Sequence, residues 1–146
     1  MYEVEALRAL VGRYCDAVTR FDVETFADTW APDAVWHIPG GEALRGREAI
    51  AARYAEIRAL YSLCVQEILS SIVDPEGRAR WYVRELQWRE GDAGSQLIGV
   101  YDDTFSGDAT SPRFASRRFT LLYRGPADLS GRLHGASRLA AFDESP

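Results

Sequence analysis

The chain of 146 residues contains no lysine: its 17 basic residues are all arginine, set among 22 acidic residues for a net charge of −5. The arginines are scattered and offset by acids, and no basic patch is apparent, which argues against nucleic acid as a partner. Cysteine is scarce. Cys15 and Cys64 make no C-x-x-C pair, which leaves zinc and thiol redox chemistry unsupported and reads as two reduced thiols on the core side. The two histidines, His37 and His134, are far apart and have no acid at ligand spacing, so no metal site is expected. Neither G-x-G-x-x-G nor G-x-x-x-x-G-K occurs, nor does G-x-S-x-G, which argues against nucleotide cofactors and against a serine nucleophile. No apolar run approaches the ~20 residues of a membrane span. The opening Met1-Tyr2-Glu3 has neither a basic region nor an apolar one behind it, so a cytoplasmic protein is expected, and with no phosphate loop or metal spacing no cofactor is expected.

What is present is a globular composition. Hydrophobic residues make up 47% of the chain, with four Trp and seven Tyr, enough for one domain with a sizeable core. Val4, Leu7, Val11, Tyr14 and Val18 recur at helical spacing, predicting a first helix from about Tyr2 to Arg20 with Tyr14 on its inward stripe. Phe21-Asp22 breaks it, Asp22 is placed to cap a second short helix, and Pro32 is expected to end that helix. Ala34–Ile38 reads as a short strand with Trp36 and Ile38 on one face and Val35 and His37 on the other. Pro39-Gly40-Gly41 is a turn, and Gly46 opens a third helix with a stripe of Ile50, Tyr54 and Ile57. Glu48 in its first turn suits the positive end of the helix dipole.

From Cys64 the period changes to two. Four strands are expected at Cys64–Val73, Arg78–Arg89, Gln96–Ser106 and Arg113–Arg124, joined by hairpin-length links and therefore antiparallel. They are longer than the usual ~5–6 residues and must twist and coil. The expected fold class is α+β: three N-terminal helices on a strongly curved antiparallel sheet, forming a cone that encloses a cavity. The core would run over about 3–124, with an irregular tail at 125–146 in which Leu139, Ala141 and Phe142 suggest packing.

Several pieces together carry a family likeness: Tyr14 on the first helix, F-D-V-E-T-F at Phe21–Phe26, A-P-D-A-V-W, L-R-G-R-E-A-I at Leu44–Ile50, and G-V-Y-D-D-T-F at Gly99–Phe105. In this order the chain resembles the SnoaL-like branch of the nuclear transport factor 2-like superfamily, and most of all its scytalone dehydratase and hexachlorocyclohexane dehydrochlorinase members. The resemblance implies a small-molecule cavity and proton-transfer chemistry of dehydratase, isomerase or polyketide cyclase type. It also implies a His–Asp dyad, whose places fall here at Glu67 and Thr19, so the dyad is not retained. The more distant ketosteroid isomerases would place functional residues at Tyr14, Asp103 and Ile38, the last unable to take a proton.

Three side chains are candidates for chemistry. Glu67 alternates with Val65, Leu69 and Val73, and a carboxylate desolvated among such neighbours becomes a usable base. The competing reading is a solvent-facing Glu67 paired with Arg84. Asp103, grouped with Leu97, Gly99, Tyr101 and Phe105, would donate or orient hydrogen bonds at a substrate oxygen, unless it is simply a buried acid held by Tyr14 or an arginine. Tyr14 would steady a developing enolate or alkoxide, against the commoner case of a core tyrosine. Trp30, Trp36, Ile38, Tyr54, Trp81, Phe105 and Thr19 are the expected substrate-contacting residues, suiting a small hydrophobic ring compound.

Two other functions stay open on the sequence. One is a non-catalytic protein that binds a small hydrophobic ligand in the same cavity. The other is an epoxide-hydrolase-like enzyme that draws on Asp103 and Arg117. A homodimer through the outer sheet face is expected, using Ile98, Val100, Phe114 and Leu122.

Overall fold

The computed structural model describes residues 1–127 and Ala140. The expectations for His134, Leu139, Ala141 and Phe142 lie outside the described residues. Helix α1 spans Val4–Arg20 and buries Leu7, Leu10, Val11, Tyr14, Ala17 and Val18, the expected stripe. It ends at Phe21, whose φ of 57° is the left-handed conformation that lets its N–H turn back to the Ala17 and Val18 carbonyls. Helix α2, Val23–Asp28, starts on Asp22, whose Oδ1 accepts the Thr25 N–H at 3.0 Å. It stops before Pro32, which lies inside strand β1, Trp30–His37. Proline has no N–H for a ladder, and the pairing of β1 shifts register between Trp30 and Val35.

A two-residue strand β2, Leu44–Arg45, leads to Gly46. Gly46 holds φ 92° while its N–H reaches the Ala34 carbonyl at 2.8 Å, so α3, Arg47–Arg58, starts against β1. Strands β3 (Leu63–Asp74), β4 (Arg78–Trp88), β5 (Ser95–Asp108) and β6 (Ser111–Pro126) follow as successive antiparallel neighbours. The sheet order is β2-β1-β6-β5-β4-β3.

One correction concerns topology. The sheet is mixed rather than wholly antiparallel, because β1 runs parallel to β6, pairing Trp36 with Arg117 and His37 with Arg118. Hairpin links force antiparallel pairing only between strands adjacent in sequence, and β1 meets β6 across the rest of the chain. Among the described residues, three helices thus pack on a six-stranded sheet that is not closed into a barrel.

The core sits between α1, α2 and the inner sheet face. Trp30, Phe26 and Phe114 have no exposure, Trp81 is buried, and Tyr14 touches Phe26, Trp30, Tyr101 and Phe114 through ring contacts. Phe114 is therefore a core residue and leaves the expected outer patch; alternation on β6 is interrupted by the register shift opposite Thr104 and Phe105, which returns Phe114 to the inner face.

Candidate functional site

The α1–α3 ends and the β3–β6 inner face do not meet fully, and an apolar pocket of about 230 Å³ remains between them. Its walls are Trp36 and Ile38 from β1, Tyr54 and Ile57 from α3, and Leu97, Phe119 and Leu121 from β5 and β6. Tyr14 and Tyr101 line it from α1 and β5, and Cys64, Gln66, Glu85 and Gln87 from β3 and β4. Arg58 and Arg124 also reach it.

Local structure explains the walls. A Cβ on Gly99 would lie 2.2 Å from the Phe119 ring, so only glycine lets that ring lie across β5, where it packs 5.0 Å from Tyr101. Tyr54 stacks on Phe26 at 3.8 Å and donates to the Ala17 and Val18 carbonyls at 3.3 and 3.4 Å. Arg58, buried, closes the C-terminal end of α1: Nε donates to the Val18 carbonyl at 2.8 Å and Nη2 to that of Thr19 at 3.0 Å. All its reach goes into backbone, which makes it a fastener rather than a free cation.

Glu85 is the one carboxylate lining the pocket among the described residues. It sits in a small polar array. Oε1 accepts from Cys64 Sγ at 2.8 Å and from Gln87 Nε2 at 2.9 Å, and Oε2 accepts from Gln66 Nε2 at 2.9 Å. Register brings these groups together: Gln66 opposes Glu85 and Cys64 opposes Gln87 across β3 and β4. Burial, then the Glu85 charge, pushes the Cys64 thiol well above its ordinary range, so it stays a donor. Gln66 Oε1 is buried and has no partner among the described residues.

Beneath the two phenols lies a buried ion pair. Arg117 Nε donates to Asp103 Oδ1 at 2.8 Å, with the two residues 1% and 3% exposed. Desolvation pushes the Asp103 carboxyl up to about 6, opposed by the charge and hydrogen bond of Arg117. Desolvation alone would lower Arg117, but Asp103 outweighs it and holds the guanidinium cationic. Tyr14 is raised well above its ordinary value, first by burial and then by the neighbouring Tyr101.

The structure redistributes the expected site residues. Tyr14, Trp36, Ile38 and Tyr54 line the pocket. Trp30, Trp81 and Phe105 do not; they fill the core, where their size is taken up by packing. Thr19 is half-buried at the end of α1 and offers only its carbonyl, to Arg58. Asp103 lies behind the phenols, bonded to Arg117, rather than on the pocket wall. The inward, desolvated Glu67 is overturned: Glu67 is exposed and pairs with Arg84 Nη2 at 2.6 Å, the competing reading.

The reason for the Glu67 reversal is a β-bulge. Val73 does face the core, but the β3–β4 register shifts between Ile68 and Ser70. One extra residue flips the faces, so counting back by twos from Val73 lands on the outer row. The inward residues at the start of β3 are Cys64 and Gln66. Glu85, Gln87 and Tyr101 were missed although β4 carried a signal: Trp81, Val83, Glu85 and Gln87 alternate, and the inward Trp81 fixes the phase.

A second, open depression of about 440 Å³ lies on the opposite face, among His37, Arg78, Arg80, Asp102, Ser116 and Arg118. It is a polar surface; Arg80 and Asp102 pair across it at 2.7 Å.

The SnoaL-like domain family profile matches residues 11–124. No curated protein shows significant sequence similarity to the chain. Among solved structures, a provisionally assigned scytalone dehydratase from Novosphingobium aromaticivorans superposes with a TM-score of 0.75 at 17% identity, over 89% of this chain and 94% of that one. A type 2 hexachlorocyclohexane dehydrochlorinase (LinA) gives 0.71 at 19% identity, over 86% and 88%. A protein with a ketosteroid isomerase-like fold from Catenulispora acidiphila, in complex with trimethylamine, gives 0.67 at 14% identity, over 76% and 83%. At these identities the likeness speaks for the fold alone.

Proposed function

The chain belongs to the SnoaL-like domain family, and on that footing we propose that it is a cofactor-independent proton-transfer enzyme, a lyase or isomerase acting on a small hydrophobic molecule with a ring. One observation carries this reading: Glu85, the one carboxylate on the wall among the described residues, faces an apolar pocket that Tyr14 and Tyr101 also line. A carboxylate in such a place abstracts a proton from carbon or oxygen, while phenolic O–H groups donate to the oxygen where charge develops. The aromatic walls at Trp36, Tyr54 and Phe119 suit a flat ring. Glu85 takes over the base role first read onto Glu67. Glu67 plays no part.

The test is exchange. Enolisable ring ketones are incubated with the protein in D2O, and deuterium incorporation is followed by NMR. Glu85→Gln removes the base and is expected to slow exchange by about 10²–10⁴-fold. Equal exchange by the variant ends this assignment.

A second reading, a non-catalytic binder of a small hydrophobic ligand, has its own observation. Both oxygens of Glu85 already accept hydrogen bonds from Cys64, Gln66 and Gln87. A carboxylate so engaged is held as a fixture of the pocket wall. Native mass spectrometry separates the two: an unaltered ligand carried through purification supports binding. The epoxide-hydrolase-like reading loses ground, because Asp103 and Arg117 are sealed off from the pocket and bonded to each other.

We also propose a homodimer through the outer sheet face, where Leu122 is 59% exposed beside the half-buried Ile98 and the covered Val100. Sedimentation of a monomer at micromolar concentration removes this proposal. A cytoplasmic location, with no nucleic-acid partner, is part of the same proposal; no helix among the described residues is long and apolar enough to cross a membrane.

A further inference from the structure

On three strands the inner row changes character toward the open end of the pocket. β4 carries Trp81 and Val83, then Glu85 and Gln87, and the next inward position, one residue past the strand, is Arg89. β5 runs from Tyr101 through Gly99 and Leu97 to Ser95, which stands opposite Gln87. β6 carries Phe119 and Leu121, and Arg124 follows opposite the inward Leu97. The row is thus apolar at its inner end, polar in the middle and basic at the rim.

At that rim the pocket opens into an outer depression of about 560 Å³, with which it shares Tyr61, Gln87 and Arg124. Arg89 lines the outer part, and its guanidinium carbon lies over the Tyr61 ring, 5.0 Å from the centroid. The ring face attracts the cation and keeps it at the mouth. No ion pair among the described residues uses the guanidinium of Arg89 or of Arg124.

We propose that Arg89 and Arg124 form a clamp for a carboxylate at the mouth of the pocket, and that the ligand is an amphipathic acid, with its ring inside and its carboxylate on a short arm between the two arginines. The proposal rests on the pocket being the ligand site. The planar fork of a guanidinium matches the two oxygens of a carboxylate, which a point charge does not.

The other charged groups set the direction of entry. Arg58 stands in the pocket wall, but its N–H groups go to the carbonyls of Val18, Thr19 and Tyr61. Asp92, in the turn after β4, is the one acid lining the outer depression among the described residues, against two cations. Glu85 lies four residues inward of Arg89, roughly 13 Å along an extended strand. Like charge keeps the ligand's carboxylate away from Glu85, and opposite charge draws it to the mouth, so the molecule enters ring first. The ring and the carbons next to it then lie beside Glu85, where the proposed proton transfer takes place. Binding itself changes no covalent bond.

Two probes of one shape test the clamp: 4-phenylbutyrate, an anion at neutral pH, and 4-phenylbutanamide, its uncharged counterpart. Both are titrated calorimetrically into the protein at neutral pH and low ionic strength. The acid is expected to bind about three- to tenfold tighter than the amide, with a margin that shrinks as salt is raised. Arg89→Gln and Arg124→Gln are each expected to reduce that margin, and the double variant to erase it, while the amide keeps its affinity. Both side chains are exposed, so neither change opens the core. Ile57→Trp, which fills the pocket, is expected to abolish binding of both probes.

Equal affinity for the two probes, a margin that survives the double substitution, or binding of the acid alone to Ile57→Trp overturns the inference and leaves the pocket standing. Binding of neither probe to the wild-type protein takes down the pocket reading and this inference together.

Discussion

Two acidic residues sit near the pocket, and they are held in opposite ways. Asp103 is sealed, bonded by one oxygen to a buried arginine, and its other oxygen meets no hydrogen-bond geometry among the described residues. Glu85 stands on the pocket wall with both oxygens occupied by neutral donors and, among the described residues, no cation bonded to it. The first arrangement ties an acid to the fold through charge; removing either partner strands the other in a dry place. The second holds an acid in position by dipoles alone and leaves its charge free to act on whatever enters. Burial with a charged partner therefore fits a structural acid, and a partly open acid with neutral neighbours is the one that the proposed chemistry calls for.

The largest effect expected from breaking this contrast is on the charged pair. Asp103→Ala leaves Arg117 an unpaired buried cation, and denaturant unfolding is expected to show a loss of about 3–5 kcal/mol. Replacing both, Asp103→Leu with Arg117→Met, is expected to cost much less than the single change, because no charge is stranded. Glu85→Gln is the counterpart. It keeps the size and most hydrogen-bond geometry, so stability is expected to fall by no more than about 1 kcal/mol, while exchange activity collapses. A Glu85→Gln variant as unstable as Asp103→Ala would erase the distinction between the two acids.

A smaller effect sharpens the contrast through pH. The Asp103 carboxyl stands at about 6 in the fold, raised from its ordinary 3.8. Between those values the folded chain holds a proton that the unfolded chain has lost. This contribution to stability is therefore complete below about pH 4 and disappears as pH rises through about 6, at most about 3 kcal/mol in all. Asp22 works the other way. Desolvation would raise its carboxyl, but its bonds to Thr25 and Arg20 hold it low, so its contribution is lost as pH falls. Comparing wild type with Asp103→Asn between pH 4 and 6 isolates the first: the stability advantage of wild type is expected to shrink as pH rises. An advantage that grows across that window would mean that the ion pair, not desolvation, governs Asp103.

The helices were legible in the sequence because each carries its own signal. The stripe through Tyr14, the cap at Asp22 and the glycine at Gly46 act within a few residues, and all three hold in the structure. The β1–β6 pairing was not legible, since nothing local in A-P-D-A-V-W names a partner on the last described strand. Part of the pocket wall was visible, at Tyr14, Trp36, Ile38 and Tyr54. The polar part was hidden because alternation was read as apolar-inward. On a strand that walls a pocket, the inward row is free to be polar, as Cys64, Gln66, Glu85 and Gln87 are. A bulge between Ile68 and Ser70 then reversed the phase in the strand where phase mattered most.

That reversal leads to the smallest effect expected. Glu67 and Arg84 oppose one another on the outer row of β3 and β4, with side chains 52% and 42% exposed. An exposed pair gains little from its Coulomb attraction, because water screens it and two long side chains must be ordered to form it. Glu67→Gln is expected to change stability by less than about 1 kcal/mol, with an effect that fades as salt rises. Exchange activity is expected to stay at the wild-type level, since the bulge turns this residue away from the pocket that Glu85 faces. The pair Glu67→Gln and Glu85→Gln thus sets two chemically identical changes on opposite faces of the same two strands. Only the inner one is expected to touch chemistry. Equal losses from both would place the bulge, and the inward face built on it, in the wrong register.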